Sequence, residues 1–328
     1  MHRLVEQAPK DTTAVPAAEV RQLVERCGTF FHLQLVSHSI LRRASHFAFA
    51  GGGMLFVERL AVEIDGEGEP VVMIHGLGGT TNTFTPLLPA FARNKRVRFD
   101  LPGSGRSSRV EGPLSIDKFV EAAKRAMAAA KIEKAHVVGH SMGTIVAAHL
   151  AAAEPGRVRS LALFGPLLAP PEQARANIRA RADRARKEGM QGIADALVQA
   201  STSSETKAKR HAAVAFVRES LMAQDPDGYA RSCEALAGMQ AADTSKIACP
   251  TLLVTGDEDV VSPPQSVRMM GQKIAGSRVE ALRGCGHWTP VEKPDECIDL
   301  LNRFYLDANR IRGQGRDSVY AISALTPN

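Results

Sequence analysis

The chain has 328 residues, 44% hydrophobic and 23% charged, a composition with room for a large core plus an insertion, and one that excludes collagen-like, coiled-coil and globally disordered chains. No run of about 18 uninterrupted apolar residues occurs, so no transmembrane segment is expected. The five cysteines (Cys27, Cys233, Cys249, Cys285, Cys297) form no C-x-x-C pair, which argues against a disulfide scaffold or a zinc ribbon. The net charge of +6 comes without a base-reading motif or an aromatic-studded basic stripe, so nucleic acid is not an expected partner.

Residues 1–53 differ in pattern from the rest of the chain. Gly28–Ile40 is apolar but broken by His32, Gln34, Ser37 and His38, and Arg42, Arg43 and three glycines come after it. Charged residues ahead of Cys27 spoil a secretory-signal pattern. The segment is expected to be an accessory extension; a transit-like sequence and a chain whose functional part starts at Met54 are the alternatives. A cytoplasmic location is expected.

From Met54 short β-branched runs alternate with helical patterns, which predicts an α/β fold with a mostly parallel sheet. Phe56–Ile64 with Asp65-Gly66 predicts an opening hairpin, and Val71–Ile74 and Arg96–Phe99 predict buried strands. Ser115 is placed to cap a helix over Ile116–Ala130. Ala135–Val138 is the next strand, Met142–Ala153 an Ala-rich helix and Val158–Phe164 another strand. Continuous apolar runs of this kind belong to strands covered on both faces. From Gly165 to about Lys246 only helical patterns appear, rich in Ala and Arg. Strands resume at Thr251–Thr255 and Val279–Leu282, and a helix is predicted from about Pro294 to Ala308. Residues 54–165 and 247–310 are therefore expected to form one core, 166–246 a helical cap over its strand ends, and 311–328 a tail. Ligands of open α/β sheets bind at the carboxyl ends of the strands.

The sharpest motif is Gly139-His140-Ser141-Met142-Gly143, a G-x-S-x-G between an apolar strand and a helix. Its glycines permit the close, strained turn that would present Ser141 as a nucleophile. A serine hydroxyl needs a base oriented by an acid. The acid is expected from Gly256-Asp257-Glu258-Asp259, where Asp259 is favoured and Asp257 and Glu258 compete. The base is expected to be His287 in Gly284-Cys285-Gly286-His287-Trp288. The N–H of Met142, next to the nucleophile, and that of Leu77 in His75-Gly76-Leu77-Gly78-Gly79 would hold an oxyanion. That glycine-rich stretch is no phosphate cradle, having neither G-x-G-x-x-G nor a Walker lysine.

These motifs, with Asp100-Leu101-Pro102-Gly103-Ser104-Gly105-Arg106-Ser107, resemble the α/β-hydrolase superfamily in order and spacing from about Met54 to Leu306. The resemblance implies a Ser141, Asp259, His287 triad, a fold with an inserted helical cap, and no metal or organic cofactor. The segment from Gln224 to Leu236 resembles 3-oxoadipate enol-lactonases and small carboxylester hydrolases, although the chain's one tryptophan is Trp288, beside the base. A serine at the elbow excludes the carboxylate-nucleophile dehalogenases and epoxide hydrolases. Carbon–carbon hydrolases, cofactor-free haloperoxidases and a non-catalytic binding protein on this fold stay open. A small ester or lactone is the expected partner. His140 and Trp288 are placed to touch it, and from the cap's basic run Arg175 and Arg179 would clamp an anionic group; a solvated helix face is the plainer reading of that run.

Overall fold

A computed structural model of the chain describes residues 53–108 and 110–306; the expectations for 1–52 and 307–328 lie outside them. Eight strands form one sheet in the order β1-β2-β4-β3-β5-β6-β7-β8. They are β1 (Gly53–Val57), β2 (Leu60–Asp65), β3 (Glu69–Ile74), β4 (Asn94–Phe99), β5 (Ala135–His140), β6 (Val158–Phe164), β7 (Thr251–Gly256) and β8 (Arg278–Leu282). β1 and β2 pair antiparallel, as do β2 and β4, and every pairing from β4 through β8 is parallel. The mostly parallel sheet stands as expected, with one correction at its start. Phe56–Ile64 is two strands, because the chain reverses at Glu58-Arg59, both with positive φ; Asp65-Gly66 instead closes β2 and leads to β3.

The apolar runs divide by parity. Val72, Ile74, Val137, Leu161, Leu163 and Leu253 face one buried cluster, while their neighbours Val71, Met73, Val138, Ala162, Phe164 and Val254 face another. The first side is covered by α1 (Ile116–Ala129) and α2 (Met142–Ala153). The second is covered by the 3-10 segment Thr81–Phe91, through Phe84, Leu87 and Phe91, and by α9 over 294–306, through Leu300, Leu301 and Phe304. Burial on both faces explains why these strands do not alternate in polarity. Ser115 caps α1 by accepting from the Lys118 N–H at 3.2 Å. The helix α8 (Pro264–Lys273) and the segment Thr81–Phe91 went unread in the sequence. In the latter, Pro86 and Pro89 interrupt the helical pattern.

Between β6 and β7 lie five helices: α3 (Glu172–Glu188), α4 (Gln191–Ser201), α5 (Ser204–Lys209), α6 (His211–Met222) and α7 (Pro226–Gly238). α3 packs along α7, and α4 along α6. Two seams join this insertion to the sheet. At one, Gly228 lies so close to Gly103 that a Cβ on it would stand 2.3 Å from the Gly103 carbonyl, while Gln224 Nε2 and Ser220 Oγ donate to the Gly78 carbonyl at 3.3 and 2.8 Å. At the other, Ser201–Ser204 runs against the loop after β8.

Candidate active site

Because β3, β5, β7 and β8 are parallel, the loops at their carboxyl ends emerge on one edge of the sheet. Ser141 succeeds β5 with φ 53° and ψ −121° and is the N-cap of α2. Three glycines make that turn possible. A Cβ on Gly143 would sit 1.9 Å from the Ile74 carbonyl, one on Gly139 2.7 Å from the Gly143 carbonyl, and one on Gly76 2.7 Å from Ser141 Cβ.

Ser141 Oγ lies 2.8 Å from His287 Nε2, and His287 Nδ1 lies 2.9 Å from Asp259 Oδ2. The partners set the tautomer: Nδ1–H donates to the carboxylate, so Nε2 is free to accept from the serine hydroxyl. Asp259 is buried, and its Oδ1 accepts from the Val261 and Ser262 N–H groups, each at 2.8 Å. Burial alone would raise this carboxyl, but the neighbouring His287 and these donors hold it below the ordinary carboxylate range. The competing acids have other work. Asp257 accepts from the Cys285 N–H at 3.2 Å, and Glu258 accepts from the Ser204 N–H at the start of α5 at 2.8 Å. Gly165, with φ 58°, leaves room for the His287 ring, since a Cβ there would meet Cε1 at 2.9 Å.

Met142 opens α2, where first-turn N–H groups have no intrahelical acceptor. Leu77 is brought beside Ser141 by the contact of Gly76 with the elbow, and the loop is closed by the Gly79 N–H donating to the Gly76 carbonyl at 3.0 Å. His75, whose imidazole burial drives down from its ordinary pKa, braces the loop as a neutral ring. Nδ1–H donates to the Gly76 carbonyl at 2.8 Å, and Nε2 accepts from the Leu101 N–H at 2.8 Å. Asp100, in the Asp-Leu-Pro-Gly motif, accepts from the Thr81 N–H at 2.8 Å and from Arg106 N and Nε at 3.0 and 2.8 Å.

His140 and Trp288, expected at the substrate, are buried against the base. His140 Nε2–H donates to the His287 carbonyl at 3.0 Å, and its ring tilts on those of His287 and Trp288. Burial and the adjacent His287 lower its pKa to about 3. Trp288 Nε1 donates to Ser201 Oγ at 3.2 Å. Arg175 and Arg179, expected at an anionic group of the substrate, make their contacts inside the insertion. Arg175 donates to the Pro170 and Ala237 carbonyls at 3.0 and 2.5 Å, and Arg179 reaches the same Ala237 carbonyl at 3.4 Å and lies near Glu172. Both guanidiniums reach carbonyls of the insertion, Arg175 closely and Arg179, which is half exposed, at longer range.

One residue the sequence did not single out holds this edge together. Glu292 is wholly buried, and its carboxylate accepts from the N–H groups of Trp288, Gly286 and Ser203 at 3.0, 3.0 and 2.8 Å. With the His287 N–H donating to the Ser201 carbonyl at 2.8 Å and Ser203 Oγ donating to the Gly284 carbonyl at 2.8 Å, it ties the His287 loop to the end of α4. The available signal was a carboxylate four residues after Trp288 in an otherwise apolar turn.

A serine on a strained elbow, an imidazole within hydrogen-bond reach and a buried carboxylate behind it form an arrangement suited to deprotonating a hydroxyl as it attacks an electrophilic carbon. Among the described residues no cluster fit to hold a metal occurs, and Cys233, Cys249, Cys285 and Cys297 are free. Nor is any helix there long and apolar enough to cross a membrane.

With this fold and this edge in view, the chain belongs to the α/β-hydrolase fold family, which matches it over residues 69–294, and it is a hydrolase. Among curated relatives, a pimeloyl-[acyl-carrier protein] methyl ester esterase of Neisseria meningitidis is 30% identical over 277 residues, covering 79% of this chain and 82% of that protein. A shorter stretch of 105 residues is 41% identical to RutD of Azorhizobium caulinodans, so the chain spans only 40% of that relative's length. Among solved structures, the enol-lactonase from Burkholderia xenovorans LB400 superposes with a TM-score of 0.70 at 27% identity, covering 75% of this chain and 96% of that one.

Proposed function

We propose that the chain is a serine hydrolase of small carboxylic esters or lactones, working without a metal or organic cofactor. Ser141 attacks the acyl carbonyl while His287 takes its proton. The oxyanion is held by the N–H groups of Leu77 and Met142, and His287 returns the proton to the departing oxygen. Water, deprotonated by the same imidazole, then releases the acyl group from Ser141, and Asp259 keeps the ring oriented throughout. The insertion acts as a cap over this edge. The observation that carries the reading is the run of two hydrogen bonds, 2.8 Å from Ser141 to His287 and 2.9 Å from His287 to Asp259, on an elbow that holds Ser141 at positive φ.

The test is turnover of a short p-nitrophenyl ester beside an enol-lactone, with Ser141→Ala as the blank. Ser141→Ala is expected to lower kcat by at least about 10⁴-fold and to abolish labelling by a fluorophosphonate, with an unchanged melting temperature. A variant that keeps the wild-type rate, or a wild type inert to the fluorophosphonate, rejects the reading and leaves a binding protein on a hydrolase fold. A lactone as preferred substrate is the narrower reading, supported by the likeness to the enol-lactonase. It requires faster lactone than ester turnover.

A further inference from the structure

α3 carries a row of basic residues, and most have partners. Arg175 and Arg179 lie on the Ala237 carbonyl, Arg184 pairs with Glu188, and Arg186 with Asp227 and Glu234. Arg181 is different. It stands on the face of α3 that also presents Ile178, Ala182 and Ala185 to the interior. It is half-buried, its Nε is fully buried with no hydrogen-bond partner, and it has no carboxylate partner among the described residues. A guanidinium with a buried, unpartnered N–H and no carboxylate beside it is free to take an anion.

A second unsatisfied donor lies beside it. Tyr229 on α7 is among the largest fully buried side chains, and its hydroxyl makes no hydrogen bond of ordinary geometry. Arg181 and Tyr229 are near enough to interact electrostatically, and the Cys233 thiol, one turn further along α7, neighbours both. Burial pushes the Tyr229 phenol up from its ordinary value, so it remains an O–H donor. The tyrosine also reaches the active-site edge: a Cβ on Gly78 would meet Tyr229 Cε2 at 3.5 Å and Leu221 at 2.4 Å, and Gly78 is the residue directly after Leu77. One permanent positive charge and one neutral hydroxyl, with the weakly accepting Cys233 thiol as the group beside both, match a singly charged, planar acceptor, as a carboxylate is.

We propose that Arg181 and Tyr229 form an anion subsite for a carboxylate carried by the substrate, so that the ester or lactone cleaved at Ser141 is a monoanionic one. The proposal rests on the serine-hydrolase function and narrows its substrate class.

The test compares p-nitrophenyl hydrogen glutarate with p-nitrophenyl valerate, two esters of equal acyl length that differ in the terminal carboxylate. Wild-type kcat/KM is expected to favour the anionic ester by about tenfold or more. Arg181→Gln is expected to erase that preference through KM. Tyr229→Phe, which removes one hydroxyl and keeps the ring, is expected to cut it by roughly threefold to tenfold. Turnover of the neutral ester should stay within about twofold in both variants. No wild-type preference, or a parallel loss on both esters, overturns the subsite. Glutarate at millimolar concentration supplies a readout free of turnover, raising the melting temperature of wild type and not that of Arg181→Gln. If glutarate stabilises the wild type while neither ester is cleaved, the hydrolase reading fails and the subsite stands. If valerate is cleaved and glutarate neither binds nor gives a preferred ester, the subsite alone falls. Should Arg181→Gln not fold, Tyr229→Phe decides.

Discussion

Two histidines at this edge are held neutral by their surroundings. His75 and His140 are buried, each uses one ring N–H on a carbonyl, and burial is the leading cause that lowers both, His140 to about 3. In the unfolded chain both return to their ordinary value near 6.5. At His140, between pH 6.5 and pH 3, the unfolded state therefore binds a proton that the folded state refuses, so stability falls as pH falls, and His75 acts in the same direction below pH 6.5. Each histidine contributes a slope of up to about 1.4 kcal/mol per pH unit. Asp100 and Asp259, held below their ordinary 3.8, add a loss in the same direction below that pH. Urea unfolding from about pH 4 to about pH 8 is expected to show this slope, and His140→Gln to reduce it by about one proton's worth. An unchanged slope in the variant would place the linked proton elsewhere.

At the level of loops and helices, the sequence made local patterns legible and long-range contacts illegible. The elbow around Ser141 is readable because strand, glycines and helix lie within a few residues, and Asp259 and His287 because each comes after an apolar strand in a glycine-containing turn. Glu292 is different in kind. Its three hydrogen bonds reach Trp288, Gly286 and Ser203, and the last lies 89 positions away in an element that nothing in the local pattern brings near. The basic row on α3 was visible, but which of its arginines lies beside Tyr229 depends on how α3 and α7 dock. Glu292→Gln tests the brace. An amide keeps the shape but sets an N–H₂ against one of three backbone donors, which is expected to destabilise by about 1–3 kcal/mol and to lower kcat on any ester as the His287 loop loosens. A melting curve and a kcat comparison check it, and a variant matching wild type in both would show that the carboxylate is dispensable.

Over the molecule as a whole, two seams are among the contacts that join sheet and insertion. The Gly103–Gly228 contact admits no side chain, a Cβ on Gly228 standing 2.3 Å from a carbonyl oxygen. Gly228→Ala is expected to push the start of α7 away, at about 1–3 kcal/mol of stability, and to raise KM more than it lowers kcat, because Tyr229 is the next residue while the Ser141–His287–Asp259 hydrogen bonds lie outside the seam. Steady-state kinetics with a melting curve distinguishes this from general unfolding; an equal loss in kcat would mean that the seam supports the triad itself.

The other seam bears on how such proteins can be recombined. The backbone of His287 is fastened to Ser201, and its loop to Ser203 through Gly284 and Glu292, so part of the scaffolding of this histidine is encoded in the insertion. Exchanging residues 166–246 for the corresponding stretch of a relative would therefore not be a change of specificity alone. A chimera would inherit His287 without its moorings unless the donor stretch brings a matching carbonyl and a matching N–H at those two positions, and libraries built by swapping this segment would be filtered first by that local fit and only afterwards by what the new helices recognise.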